Sequence, residues 1–323
     1  MSAAAAPLPG STARPSTLEE TLPAPGFWKR LEKRLRRSAM RKLRTKAAGT
    51  TIAREPWGTF APDAKGERLI RAARGARFLR STVRAHVTLQ LGERTGGPVD
   101  TRYAGYPIRF YPARSESARL MLLAPDRYQA EEFAFLAAHG DREGLFLDIG
   151  ANAGAYSFWA AREGWDVLAF EPDPFMHDTL MANILMARAG SPDTAVPIDL
   201  LRTALDDKAE AGAFSQRVQS LVAGTDDMVE VATNLLHIVL DERDVRAVGA
   251  LKIDVEGAED RVLIPFFREA PAALHPRAIL IEHVASPLWK EDVMQVLSDH
   301  GYRPVFRNAH NTGLVRPVDH AKD

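Results

Sequence analysis

Apolar positions in this chain change their period at glycines and prolines, and those changes mark out most of its elements. The sharpest change lies between Leu145 and Ser157. Leu145, Phe146, Leu147 and Ile149 form a nearly continuous apolar run, which predicts a strand covered on both faces. Gly150 and Gly154 then supply backbone freedom and close approach. From Asn152 the apolar positions take helical spacing, with Tyr156, Phe158, Trp159 and Ala160 on one broad side until Gly164 stops the helix. A strand, a glycine turn and a helix start make the nucleotide cradle of an open α/β sheet.

The alternation continues downstream and predicts a parallel, doubly wound sheet. Val167 to Phe170 is the second strand, and Pro174 starts a helix that runs through Ala189. Pro197 to Leu205 supplies a third strand, Gly212 to Val239 an irregular excursion and Glu242 to Val248 a short helix. Leu251 to Val255 is the fourth strand, followed by a helix to Phe267, and Ala278 to Ile281 is the fifth. Leu288 to His300 reads as a helix, and Tyr302 to Phe306 with Thr312 to Arg316 as a terminal antiparallel pair. Upstream, Tyr128 to His139 has helical spacing closed by Gly140. Leu69 to Arg84 is helical or mixed, while Ala85 to Leu91 and Tyr103 to Tyr111 alternate like strands. The expected organisation is a disordered tail over 1–26, a basic amphipathic helix over 27–48, an accessory α+β region over 49–127 and the main domain over 128–323.

Charge changes this picture, although the chain is neutral in sum. Residues 1–120 hold 24 Lys+Arg against 9 Asp+Glu, so residues 121–323 hold 18 against 33. Within 27–48, Trp28, Leu31, Leu35 and Leu43 stand among ten Lys and Arg residues, with only Glu32 opposing them. Such a helix packs on the acidic half, stays solvated, or lies on an anionic membrane at roughly 1 kcal/mol per basic residue. Nucleic acid is the least favoured partner, because no recognised binding motif accompanies the charge. The chain has no Cys, its nine His show no ligand spacing for a metal, and no apolar run is long enough to span a bilayer. Residues 1–26 lack the pattern of a signal peptide. A cytoplasmic, or membrane-peripheral, protein is expected.

The spelling of the turn narrows the cofactor. A dinucleotide fingerprint needs glycines at positions 152 and 155, where this chain has Asn152 and Ala155. Asp148, at the carboxyl end of the strand, would repel a phosphate and attract an amine. At about 4 Å and an effective dielectric near 20 such a pair is worth roughly 4 kcal/mol before desolvation. S-adenosylmethionine, with an ammonium, a sulfonium and no phosphate, fits better than NAD. Each predicted strand also ends in acid: Asp148, Glu171, Asp206 or Asp207, Asp254 and Glu282. Glu171 follows Gly150 by 21 residues, the spacing at which a carboxylate takes both ribose hydroxyls.

Four segments, Phe-Leu-Asp-Ile-Gly-Ala-Asn-Ala-Gly at 146–154, Phe-Glu-Pro at 170–172, Ala-Leu-Asp-Asp at 204–207 and Lys-Ile-Asp-Val-Glu-Gly-Ala-Glu at 252–259, resemble the FkbM family of S-adenosylmethionine-dependent methyltransferases. The resemblance runs from Tyr128 to Phe306. It implies a class I methyltransferase (Rossmann-like) fold, a mostly parallel sheet with an antiparallel C-terminal strand, and methyl transfer, usually to an oxygen of a sugar, glycan or other natural product. It further implies that Asp148, Gly150, Asn152 and Gly154 line the methionine part, Glu171 the ribose, and Leu205 with Asp206 the adenine. Asp254 is expected to position or deprotonate the acceptor hydroxyl, on one strand face with Lys252 and Glu256 by the period of two. Glu256, Glu282 and His283 are alternatives for that role, and Lys252 is read as balancing the nearby acids. An NAD-dependent oxidoreductase and a non-catalytic module working through 27–48 are the competing readings.

Overall fold

A computed structural model describes residues 55–76, 81–190, 196–209, 216–217, 228–229 and 232–317. The tail and basic helix expected over 1–48 lie outside these residues. At the centre is a seven-stranded sheet of order β5-β4-β3-β10-β11-β13-β12. Its strands are β3 (Leu145–Ile149), β4 (Val167–Phe170), β5 (Ile198–Leu201), β10 (Val248–Ile253), β11 (Ala278–Glu282), β12 (Arg303–Arg307) and β13 (Asn311–Val315). Pairings from β5 to β11 are parallel, and β13 runs antiparallel to both its neighbours. The chain moves outward from β3 to β5 and then returns to lay β10 on the other side of β3. That reversal opens a crevice at the carboxyl ends of β3 and β10, where such sheets bind ligands.

Side-chain alternation splits the core in two. Leu147, Ile149, Leu168, Phe170, Leu251, Ile253, Ile279 and Ile281 pack under the helices Leu236–Glu242, Glu259–Glu269 and Val293–Asp299. Phe146, Val167, Ala169, Ala250 and Leu280 face the helices Ala155–Arg162 and Pro174–Gly190. This second face is continuous with an N-terminal layer: the helices Ala64–Gly75, Ser81–Thr95 and Glu116–Leu123, the hairpin β1 (Val99–Tyr103) and β2 (Tyr106–Phe110), and the helix Ala130–His139 before β3. Asn183, on the helix Pro174–Gly190, accepts the Arg109 N–H at 2.8 Å and donates to the Arg109 carbonyl at 3.2 Å, so it caps the edge of β2 as a strand would.

Several predicted elements are corrected. Ala85 to Leu91 is not a strand but part of a helix, because Val87 and Leu91, four apart, are both buried, and Thr88 bonds back to the Arg84 carbonyl at 2.8 Å. Tyr103 to Tyr111 is the turn and second strand of a hairpin, with Ala104 and Gly105 at φ 50° and 88° making the tight turn that strand twist favours. The third strand stops at Leu201; β6 (Ala204–Leu205) pairs separately with β9 (Thr233–Asn234), and β7 (Gln216–Arg217) with β8 (Met228–Val229) lies in the excursion. The short helix expected at 242–248 lies six residues earlier, over Leu236–Glu242, where Leu236, Val239 and Leu240 are buried at helical spacing. The helix expected from Leu288 begins at Val293, because Asp292 caps it by accepting the Met294 and Gln295 N–H groups.

Candidate active site

β3 ends at Ile149 and its chain turns through Gly150, at φ +78°. A Cβ there would lie 2.0 Å from the Asp254 carbonyl oxygen, so only glycine lets this turn touch the end of β10. Asn152 holds φ +50°, a left-handed conformation that asparagine tolerates better than most residues. Its N–H donates to Glu171 Oε2 at 2.6 Å, and its side-chain oxygen accepts from Ser115 Oγ at 3.1 Å. Gly154, at φ +83°, starts the helix Ala155–Arg162, and a Cβ there would meet Leu180 at 2.4 Å.

Four backbone donors of this turn are engaged within the protein. Gly150 and Ala151 donate to the Phe170 carbonyl at 3.0 and 2.9 Å, Gly154 donates to Ala151 at 2.8 Å, and Asn152 donates to Glu171. The two positions that a Cβ would block, Gly150 and Gly154, suit the close approach of a cofactor to this turn. Glu171 is 6% exposed and its second oxygen accepts the Asp173 N–H at 2.9 Å. Burial pushes its carboxyl up to about 7, although those two N–H groups work the other way. A carboxylate has about four acceptor positions, so both oxygens retain capacity for hydroxyl donors.

Asp148 sits differently from its sequence-based expectation. It is fully buried, accepts from Ser157 Oγ at 2.6 Å, and lies 3.5 Å from Lys252 Nζ across the β3–β10 register. Its charge is thus answered inside the protein, and attraction for a ligand amine no longer explains its presence. Lys252 balances the acids, as expected. Asp206 is likewise engaged: Arg261 bridges it, it accepts the Asp207 N–H at 2.7 Å, and burial raises its carboxyl despite both. Leu205 is buried in the core beneath β3 and β4.

On the acceptor side, β10 ends at Ile253, so the alternation invoked for Lys252, Asp254 and Glu256 does not extend that far. Asp254 is half-buried and donates its N–H to the Ile149 carbonyl at 3.1 Å; Glu256 is exposed, at φ +54°. The loop between them is held by Glu259, a fully buried carboxylate that accepts the Val255 N–H at 2.9 Å, the Gly257 N–H at 3.1 Å and the Trp289 indole N–H at 2.6 Å. Burial, then the charges of Asp254 and Glu259, push Glu282 up to about 7, and its Oε2 is buried without a hydrogen-bond partner. Burial, then Asp254 and Glu259, also raise Glu256. His283 lies beside this group but faces β13, its Nδ1 3.0 Å from Thr312 Oγ1, and burial, then Arg307 and His310, lower its pKa. Asp254, Glu256 and Glu282 thus form one electrostatically linked group.

Two residues of this site escaped the sequence reading. Ser115 comes from the accessory layer, where it also caps the helix Glu116–Leu123 by accepting the Ala118 N–H at 3.1 Å. Glu259 was visible only as the last letter of a motif. A Ser followed by a helical segment is a readable cap signal, but its contact with Asn152 spans 37 residues and leaves no local trace.

Residues 148–304, just under half of the chain, match the model of the methyltransferase FkbM domain. Over 172 residues the chain is 30% identical to the 31-O-demethyl-FK506 methyltransferase FkbM of Streptomyces tacrolimicus, a match spanning 41% of this chain and 65% of that protein. Among solved structures, the METTL16 MTase domain is similar at 16% identity and TM-score 0.42, covering 74% of this chain and 80% of that one. The tRNA (uracil-54, C5)-methyltransferase of Pyrococcus abyssi, in complex with S-adenosyl-L-homocysteine, gives 10% identity and TM-score 0.37 over 68% of this chain and 42% of that one.

Proposed function

We propose that this chain is an S-adenosylmethionine-dependent methyltransferase that O-methylates a hydroxyl on a sugar, glycan or other natural-product acceptor, with residues 148–304, the stretch that matches the FkbM domain, carrying the reaction. The observation that carries the reading is the contact between the two halves of the site: the glycine turn that cradles the cofactor rests on the Asp254 backbone. A cofactor in the cradle and an acceptor at the rim are thereby neighbours, and proximity of that kind accounts for much of a group-transfer rate. The FkbM relative of Streptomyces tacrolimicus is a 31-O-demethyl-FK506 methyltransferase, and methylation at an oxygen there supports the same class of acceptor.

In this reading Gly150, Asn152 and Gly154 cradle the cofactor, with Asp148 beneath them, Glu171 accepts the two ribose hydroxyls, and Leu205 with Asp206 flank the base. S-adenosylmethionine supplies an electrophilic methyl group. Asp254 orients the acceptor hydroxyl and takes its proton as the oxygen is alkylated. Glu256 and Glu282 tune the rim, and His283 is less well placed because Thr312 engages it. The test is incubation with labelled S-adenosylmethionine and a panel of glycan and lipid-linked glycan extracts, followed by mass identification of the product. Calorimetric titration with NAD in parallel should show no binding, because Asn152 and Ala155 stand where a dinucleotide fingerprint needs glycines.

Two expected results follow from the cradle. With Glu171 held at about 7 in the free protein, and the ionised form the better acceptor for ribose hydroxyls, cofactor affinity should be level above that pH. Below it, affinity should fall roughly tenfold per pH unit. Calorimetry in buffers of different ionisation enthalpy would detect the proton released on binding near neutrality; a flat profile from pH 5 to 8 refutes the ribose role. Ser115→Ala should weaken cofactor binding several-fold and lower stability by about 1 kcal/mol through loss of the helix cap. Ser115→Thr, which keeps the hydroxyl, should restore both, and unchanged affinity in the alanine variant would remove Ser115 from the site.

A further inference from the structure

A lysine on a central, fully covered strand is costly, because burial opposes its charge and a methionine would fill the same space. Lys252 is 5% exposed at the middle of the sheet. Its Nζ donates to the Gly150 carbonyl at 2.7 Å and the Ile149 carbonyl at 3.3 Å, lies 3.5 Å from Asp148 Oδ1, and sits 5.2 Å from the centre of the Tyr156 ring. The Ile149 carbonyl is the same atom that accepts the Asp254 N–H. One ammonium therefore touches both the Gly150 turn and the Ile149 carbonyl that accepts the Asp254 N–H.

We propose that Lys252 is a positioning residue for methyl transfer: it clamps the Gly150 turn onto the end of β10 and sets a positive charge beside Asp148 and the carbonyl that holds the Asp254 backbone. This rests on the methyl-transfer reading above. The charged and titratable groups around it are Asp148 from β3, Glu171 from the end of β4, Asp254 beyond its own strand, and the Tyr128 and Tyr156 hydroxyls, with buried Glu132 behind Tyr156. Burial works against the ammonium, but Asp148 first, then Asp254, hold its pKa above the ordinary lysine value. Carbonyl oxygens can only accept, so a clamp on Gly150 and Ile149 needs a donor, and a lysine offers three from one point. Asp148 answers part of the charge from beneath, at 3.5 Å.

The test uses the full chain and the variants Lys252→Met, Lys252→Arg and Asp148→Asn. Amide exchange at Gly150 and Asp254 is measured without cofactor, and the acid limb of kcat/KM with it. Lys252→Met should exchange about tenfold faster at both amides, and its acid limb should move up by about one pH unit, since a nearby cation favours ionised carboxylates. Lys252→Arg, which keeps the charge, should bring the limb back toward wild type. Asp148→Asn, which frees the ammonium from its nearest anion, should move the limb down. A Lys252→Met protein that is merely less heat-stable, with wild-type protection and limb, overturns the proposal. Should that variant not fold, an unmoved limb in Asp148→Asn overturns it instead. Absence of methyl transfer by the wild-type chain would strike the methyl-transfer reading, leaving the exchange measurement to judge the clamp.

Discussion

Asp254→Asn should lower kcat by two to four orders of magnitude and leave cofactor affinity within about threefold, the signature of a lost proton acceptor. The substitution preserves shape, and the two backbone contacts that join Asp254 to the cofactor turn, its N–H to Ile149 and its carbonyl against Gly150, do not involve the side chain. The cradle itself, through Glu171, Asn152 and Ser115, is built from other residues. An asparagine can still hold a hydroxyl, so residual turnover would measure positioning without proton removal. Single-turnover rates and calorimetric affinities separate the two effects. A variant that turns over at the wild-type rate ends the assignment and moves attention to Glu282, whose carboxyl is pushed up to about 7 and whose Oε2 is buried without a partner. In that event Glu282→Gln should abolish an acid limb near neutrality.

The strand, glycine turn and helix start were legible because their signals are local. A covered strand, a glycine turn and a helix start occupy thirteen consecutive residues, and the structure places β3, Gly150, Gly154 and Ala155–Arg162 along them. Glu171 was found by spacing alone, and its bond to the Asn152 N–H closes the loop that spacing suggested. The rim at the end of β10 was read with the wrong geometry. Period-two reasoning holds only while the strand lasts, and β10 stops at Ile253, one residue before Asp254. Glu256, in a left-handed conformation, lies beyond the reach of any strand pattern. Asp148 was read without its partner: its nearest cation, Lys252, lies 104 residues away in the sequence and one strand away in space. Pairings of that kind follow from sheet order, which a pattern of apolar positions does not specify. The same holds in the accessory layer, where the Ala104–Gly105 turn lacks the Asn-Gly or Asp-Gly spelling that announces a tight hairpin.

The largest expected loss of stability lies far from the chemistry. Arg109→Met should cost about 3–5 kcal/mol, because it strands Asp100 as a buried, unpaired carboxylate. Arg109 and Asp100 stand opposite each other in the hairpin and form a fork, Nε to Oδ1 at 2.7 Å and Nη2 to Oδ2 at 2.9 Å, with side chains 1% and 0% exposed. Each is also fully used elsewhere. Arg109 donates to the Glu55 and Pro56 carbonyls at 2.9 and 2.8 Å and stacks 4.6 Å from the Phe60 ring centre, while Asp100 accepts the Gly58 and Phe60 N–H groups at 2.7 and 3.1 Å. The pair therefore ties residues 55–60 to the hairpin, and Asn183 ties the hairpin to the helix that follows Glu171. A buried pair gives little net stability against a well-packed apolar replacement, yet removal of one member leaves the full desolvation cost of the other. Urea unfolding should show Arg109→Met and Asp100→Asn each with a lowered midpoint, and the double variant should be less unstable than the sum of the two. Additive losses, or a single loss under about 1 kcal/mol, would mean that water reaches this pair and that the accessory layer is held to the sheet by its apolar contacts alone.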